Sequence, residues 1–394
     1  MNYYKIILYI FFVTLMVVGP IYAVGKIVLP SWLKSQITEK LPEGSKLSVG
    51  KISSFYDLSI NYENLLFSSK DDLLKINLLN LIISPQFSIS EPLKINAKKA
   101  FLETKGLNLE LNDLNSLISI DYSNFSNSSI SGEMKSLKAD ELAAFSSISF
   151  LLEGFNSKSS NIEINADKIK LDFVTPRGPI SAKGDQVTLN ADLGNNLFMN
   201  LFSEVINLDL EFISGQENER ILNAKNLEME MNLLNREKWS LPLKIKLKDV
   251  TRNQSNIFDE ISLEALGEWE NSGTNCTWIE LFIDKVKCGK LTNVTNVDLK
   301  MIDGKSLLNF IGNGYCVTPK AGCLQKIQSK ISTRETTTVF SKIMDSGVAN
   351  PLFTGIILGS LLGSPAEKSS NYEHEVSFKV EGSKISVNGK PLIN

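Results

Sequence analysis

The chain has one histidine in 394 residues, and that scarcity removes much of enzyme chemistry. A serine or cysteine nucleophile normally draws on a neighbouring base, yet His374 stands between Glu373 and Glu375 at the predicted start of a strand, where a solvated edge residue is expected. Cysteine is also scarce. Cys276, Cys288, Cys316 and Cys323 include no C-x-x-C pair and, with one histidine to help, make no zinc set. The phosphate-binding and dinucleotide fingerprints are missing, and Gly359-Ser360-Leu361-Leu362-Gly363 has the wrong spacing for a nucleophile elbow. No cofactor is expected. Blocks of one charge are absent too: 41 basic and 44 acidic residues are interspersed to a net charge of −3. A nucleic-acid surface needs a basic stripe, so none is predicted. The acidic pair Asp71-Asp72 and the alternating Glu228 and Glu230 read as solubilising groups on exposed strand faces.

What the sequence does contain begins with Lys5 followed by IILYIFFVTLMVVGPIYAVG, an uncharged run from Ile6 to Gly25. Its length matches a bilayer-spanning helix. A cleaved signal peptide is the competing reading, with Gly19, Pro20 and Ala23 near the cleavage region. Either reading exports the remainder. The cysteines agree with export, since Cys276 and Cys288 flank TWIELFIDKVK and Cys316 and Cys323 enclose VTPKAG. Disulfides are therefore expected, although four cysteines allow three pairings. Asn-x-Ser/Thr sequons stand at Asn124, Asn127, Asn253, Asn275 and Asn293.

From about Leu47 to Leu299 the chain alternates apolar and polar residues, as in DLSINYENLLF, IEINADKIKLDF, VINLDLEFI and LPLKIKLKDV. That period predicts strands with one buried face. Segments such as FSNSS, TPRGP, SGQENE and NSGTN supply turns. The expected fold is mainly β, a long antiparallel meander.

One motif recurs within it: INAKKAFLE from Ile95, INADKIKLDF from Ile164, LNADLGNNL from Leu189 and LNAKNLEME from Leu222. In the second, Ile162, Ile164 and Ala166 share one parity while Ile169, Leu171 and Phe173 share the other. A regular strand would present these to opposite faces, so one extra residue, a bulge near Asp167 or Lys168, is predicted. The copies at Ile95 and Leu222 shift likewise; the one at Leu189 does not show it cleanly. Recurrent bulges would curl the sheet into a groove.

Helical period is read in few places. DELAAFSSISFLLEGF, from Asp140, predicts a helix near 140–154 with Leu142, Phe145, Ile148 or Ser149, and Leu152 on one side. A second helix is predicted roughly from Ala321 through Met344. The apolar PLFTGIILGSLLGSP, bracketed by Pro351 and Pro365, predicts a packed or interfacial helix, with a second membrane pass as the alternative for residues 350–364. HEVSFKVEGSKISVNGKPL then predicts a hairpin turning at Glu381-Gly382-Ser383. The expected organisation is an anchor over 1–30, a curved β-sheet domain over 31–303, and a helical, Gly-rich segment with a terminal hairpin over 304–394.

The uncharged span followed by LPSWLKSQITEKLPEGSKLSVGKISSFYDLSINYENLLF resembles the start of AsmA-like proteins of the bacterial envelope, over about the first 105 residues. The type II secretion protein GspN shares much of this layout. The AsmA-like resemblance implies a repeating β-groove, anchored in the inner membrane by a single pass and projecting into the periplasm, whose apolar interior shields acyl chains. This chain departs from long members in being short: about 15 strands at ~4.8 Å make a groove of ~70 Å. On this reading Ile164, Leu171, Phe173, Leu208, Leu210, Phe212, Met229 and Met231 line the groove by apolar contact, the partners being the membrane and a phospholipid or other acyl-chain ligand. The GspN reading implies instead a scaffold or assembly component with protein partners.

Overall fold

The computed structural model describes residues 44–54, 59–69, 74–84, 92–104, 108–119, 128–140, 142–154, 159–175, 178–194, 198–214, 217–235, 239–252, 254–271, 289–315, 326–345, 351–367, 371–382 and 384–393. The predicted N-terminal anchor, Asp71-Asp72 and all four cysteines lie outside them. Among the described residues no helix is long and apolar enough to cross a membrane.

The chain divides into two compact units, residues 1–156 and 157–394. The first contains β1 (Lys46–Val49), β2 (Ile52–Ser54), β3 (Ile60–Ser68), β4 (Leu74–Ser84), β5 (Leu93–Thr104), β6 (Asn108–Ser119), β7 (Ser129–Ala139) and β8 (Ala143–Glu153). The short β1 and β2 both pair with β3, and from there each strand pairs antiparallel with the next. The second unit contains β9 (Ser159–Thr175), β10 (Gly178–Gly194), β11 (Phe198–Ser214), β12 (Glu217–Asn235), β13 (Trp239–Arg252), β14 (Ser255–Asn271), β15 (Gly289–Asp303), β16 (Ser306–Tyr315), β17 (Lys326–Arg334), β18 (His374–Glu381), β19 (Lys384–Val387) and β20 (Lys390–Ile393). These too pair antiparallel in sequence order. Two helices, α1 (Thr336–Asp345) and α2 (Pro351–Leu362), interrupt the meander between β17 and β18. The expected antiparallel, mainly β fold is what forms.

The parity shift is present, in a form that differs from a lone bulge. In β9, Asp167 and Lys168 are both exposed, and inward positions pass from Ala166 to Ile169. Yet Ile169 pairs with Gly184 and Ala166 with Val187, with no net slip. β10 shifts at the same height, where Gln186 adopts φ 49° opposite Asp167. A bulge in one strand alone would flip every side chain of its partner to the wrong face; matching shifts keep both apolar sets together. The same line runs through the second unit at Asn207, Lys225, Asp249 and Asp259. The first unit has a line of its own, through Glu63, Asn80, Lys98, Asp113, Lys135 and Ser147. Every residue on this crease is exposed. Asn80, Asp113, Ser147, Gln186, Asn207 and Asp249 hold left-handed backbone there, a conformation that costs a non-glycine residue about 1–2 kcal/mol. Asn and Asp tolerate it best.

The recurring motif is explained by its place beside this crease. Ala97, Ala166 and Ala224 occupy the last apolar-facing position before it, at 2%, 5% and 0% exposure. Ala97 lies between Leu81 and Leu114, and Ala224 between Leu208 and Val250. Close packing leaves room for a methyl group and little more. The preceding asparagines point to the polar face: Asn165 donates to Glu163 (2.9 Å) and Asn223 to Asp209 (2.6 Å). In the Leu189 copy the crease falls upstream, between Gly184 and Val187, so that triplet does not carry it.

Three expectations need correction. Residues 143–153 are strand β8, not a helix. Its apolar positions are Ala143 and Phe145 before the crease residue Ser147, then Ile148, Phe150 and Leu152 after it. The 145-to-148 step comes from the crease and imitates a helical turn. In the second predicted helix, Lys326–Arg334 is strand β17 and helix begins only at Thr336. His374 is not a solvated edge residue. It is half-buried, and its Nδ1 lies 2.9 Å from Thr336 Oγ1.

The Gly-rich segment forms α2 and packs. Leu361 of α2 and Val339 and Phe340 of α1 bury against Leu308, Ile331 and Val376 of β16–β18. The terminal hairpin turns at Gly382 as expected, with φ 61°, and a second hairpin through Asn388-Gly389 adds β20.

Candidate functional site

The apolar face is built in rows that run across the strands. In the second unit Ile164 faces Leu189, followed in register by Ser203, Met229, Ile245, Leu263, Leu299, Phe310, Ile331 and Val376. A parallel row holds Ile162, Ala191, Leu201, Met231, Leu243 and Ala265. Neither row contains an ionisable side chain. At ~4.8 Å per strand the first extends about 43 Å from β9 to β18. In the first unit the rows are shorter, for example Leu65, Leu78, Ala100, Leu111, Leu137 and Phe145.

Charge is placed on the opposite face because successive strand residues alternate. There Lys183 pairs with Glu211 (2.5 Å), Lys246 with Glu260 (2.7 Å), Lys99 with Glu110 (3.1 Å) and Lys248 with Glu228. The Lys99 contact helps hold the Glu110 carboxyl below its ordinary range. Apolar residues on the polar face are scattered, among them Leu66 and Leu117, both exposed. Such isolated residues are normal.

Packing divides the apolar face into a filled part and an open part. Along the crease, Ala182, Leu208, Leu222, Ala224, Val250, Ile257 and Phe258 form a buried cluster, as do Ile60, Tyr62, Leu81 and Ala97 in the first unit. Burial raises the Tyr62 phenol above its ordinary value. At β16–β18 the helices cover the face. In the second unit Met199, Leu233 and Trp239 form a further buried cluster against which Met231 packs, while Ile164, Leu189, Met229, Ile245, Leu263 and Leu299 are only half-buried.

Seven of the eight residues expected to line a groove, all but Phe212, fall on this one face, in different parts of it. Ile164 and Met229 belong to the open rows, and Met231 stands at their margin, packed against Met199, Leu233 and Trp239. Leu171 and Phe173, at 36% and 42% exposure, lie on the other side of the crease toward the strand end. Leu208 belongs to the packed crease cluster, with Leu210 half-buried against it. Phe212 has its backbone in β11, paired with Ile180, but its side chain is outside the described residues. Leu189, Leu201, Leu243, Ile245, Leu263 and Leu299 complete the open rows and were not among the expected residues. Their alternation is visible in the sequence; their register is not. Among the described residues no group of His, Cys, Asp and Glu could hold a metal ion.

No family model, curated protein or solved structure matches this chain.

Proposed function

We propose that the protein binds or guides lipid through this apolar face, as a membrane-anchored periplasmic component of bacterial envelope biogenesis. The observation that carries the reading is the pair of charge-free rows through Met229 and Met231, whose large apolar side chains from β9 to β15 are only half-buried. An apolar sheet face gains by covering itself with another layer or with an apolar ligand, at roughly 25 cal/mol per Å² removed from water. An acyl chain suits such a surface because it brings no polar group that the face would leave unpaired. The N-terminal uncharged run and the AsmA-like resemblance add the anchor and the compartment to this reading.

The test is mass spectrometry of lipids retained by the purified full-length protein. Retained phospholipid or another acyl lipid, displaced by a charge at Met231, supports the proposal. A lipid-free protein that crosslinks in cells to a stoichiometric secretion partner instead would replace it with the GspN-like scaffold.

A further inference from the structure

His374 joins both attachment points of the helical cover. At its side chain, Nδ1 lies 2.9 Å from Oγ1 of Thr336, the first residue of α1, and that oxygen lies 2.7 Å from Thr333 Oγ1 at the end of β17. Its backbone bridges Pro365, just beyond α2. The neighbouring amides hold the same segment, with Ala366 N–H donating to Glu373 O and Glu375 N–H to Ser364 O. The start of α1 and the exit of α2 are therefore both tied to one short stretch of β18.

The hydroxyl chain has a direction. Thr333 and Thr336 are 0% and 2% exposed, and Thr333 Oγ1 has no second partner among the described residues. With Nδ1 unprotonated, Thr336 donates to the ring, Thr333 donates to Thr336, and both hydroxyl protons are used. With a proton on Nδ1 the chain reverses: the ring donates to Thr336, Thr336 donates to Thr333, and the Thr333 hydroxyl proton loses its acceptor. A buried donor without a partner carries its full desolvation penalty. The imidazolium would also meet the positive end of α1.

Other charged groups lie on the elements around the ring, and Glu335, Glu375 and Lys342 among them are half-buried, as the histidine is. Glu373, whose Oε2 is 3.4 Å from Thr336 N, is solvent-exposed, and half-buried Glu335 accepts from Ser306 Oγ at 2.5 Å. Glu375 is bonded to Lys330 and Ser332 on the polar face, and Arg334 donates to Lys305 O. Lys342 of α1 is paired with Asp303, and Glu367 beyond Pro365 is exposed. The half-buried carboxylates are engaged by other partners, Glu375 by Lys330 and Ser332 and Glu335 by Ser306, and the attraction of the exposed Glu373 is weak beside the loss of a buried hydrogen bond.

We propose that His374 is an acid-sensitive latch on the α1–α2 cover, whose protonation loosens the first turn of α1 and uncovers the apolar residues of β16–β18 beneath it. The inference concerns the cover itself and stands apart from the lipid reading.

Hydrogen exchange of the full-length protein compared between about pH 7.5 and about pH 5.5 tests it once intrinsic rates are corrected. The expected result is several-fold faster exchange in 336–345 at the lower pH, with β12 and β13 unchanged. His374→Asn keeps an acceptor near the Nδ1 position and cannot titrate, so its helix should exchange equally at both pH values. Equal or greater protection of α1 in acid, or the same acid effect in His374→Asn, overturns the proposal. If that variant does not fold, the ring signals of the wild-type protein decide. With a single histidine in the chain they are unambiguous, and a neutral ring carrying its proton on Nδ1 would overturn the latch.

Discussion

Ala166 of β9 stands directly opposite Val187 of β10, one step past the point where both strands reverse the parity of their inward side chains. That pair keeps its register while the inward parity of both strands changes. Two strands shift together, one through two outward residues and the other through a left-handed one.

The left-handed positions should therefore respond to backbone preference. Asn207, at φ 51°, is predicted to tolerate glycine with a change within ~1 kcal/mol, whereas Asn207→Val should destabilise by about 1–2 kcal/mol. Urea unfolding followed by circular dichroism measures both. Equal stability of the two variants would remove the left-handed residue from the account.

Gly132 is the tightest test of packing in the first unit. A methyl group there would lie 2.4 Å from Asn115 O and 2.7 Å from Phe150 Cζ, and the first of these is backbone that cannot turn away. Gly132→Ala should cost about 1–3 kcal/mol, the range of overpacked sites. At Gly184 the nearest atom is a Val205 methyl at 2.2 Å, so side-chain rotation gives more relief and Gly184→Ala should cost less. Thermal melts of the two variants would rank them.

Ligand retention should depend on which face receives a charge. Met231→Glu is expected to weaken lipid binding roughly tenfold, equivalent to about 1.4 kcal/mol, while Glu230→Lys, one residue away on the polar face, leaves it unchanged. Quantitative lipid mass spectrometry compares them. Equal losses would mean that the lipid does not occupy the open rows.

Acid should weaken the second unit through Asp259. The Gly304 N–H, 2.8 Å away, and the Asn256 side chain hold its carboxyl below the ordinary range. A depressed folded-state value contributes stability that is complete above the unfolded carboxylate value near 3.9 and disappears as pH falls through the folded one. Asp259→Ala should therefore be less stable than wild type at neutral pH, and the gap should close as pH falls through the depressed folded-state value. Urea midpoints across that range give the comparison; a pH-independent gap would indicate lost packing instead.

The strands were legible because alternation survives in nearly every segment, and the crease was legible wherever Ala-Asp-Lys or Ala-Lys interrupts it. The matching shift in the neighbouring strand was not, since Gln186 and Asp249 carry no local signature beyond polarity. The same crease misled the reading at β8. Phe145, Ile148 and Leu152 have helical spacing only because Ser147 adds one residue to a two-residue period. Open and filled parts of the apolar face could not be separated either. Leu208 and Met229 sit in similar alternating runs, and only cross-strand register places one in a packed cluster and the other in an open row. His374 escaped for a different reason, because its partner Thr336 is 38 residues away along the chain.

Because the crease crosses β9–β14 at one height, every hairpin there places it between the same two apolar rows. Whole pairs of strands are interchangeable units of length: removing one, or duplicating one, shortens or extends the apolar surface while each remaining neighbour still meets a matching kink. Span can thus change in lineage or by engineering without redesign of the profile, whereas a single-residue insertion between kink and turn would misalign it.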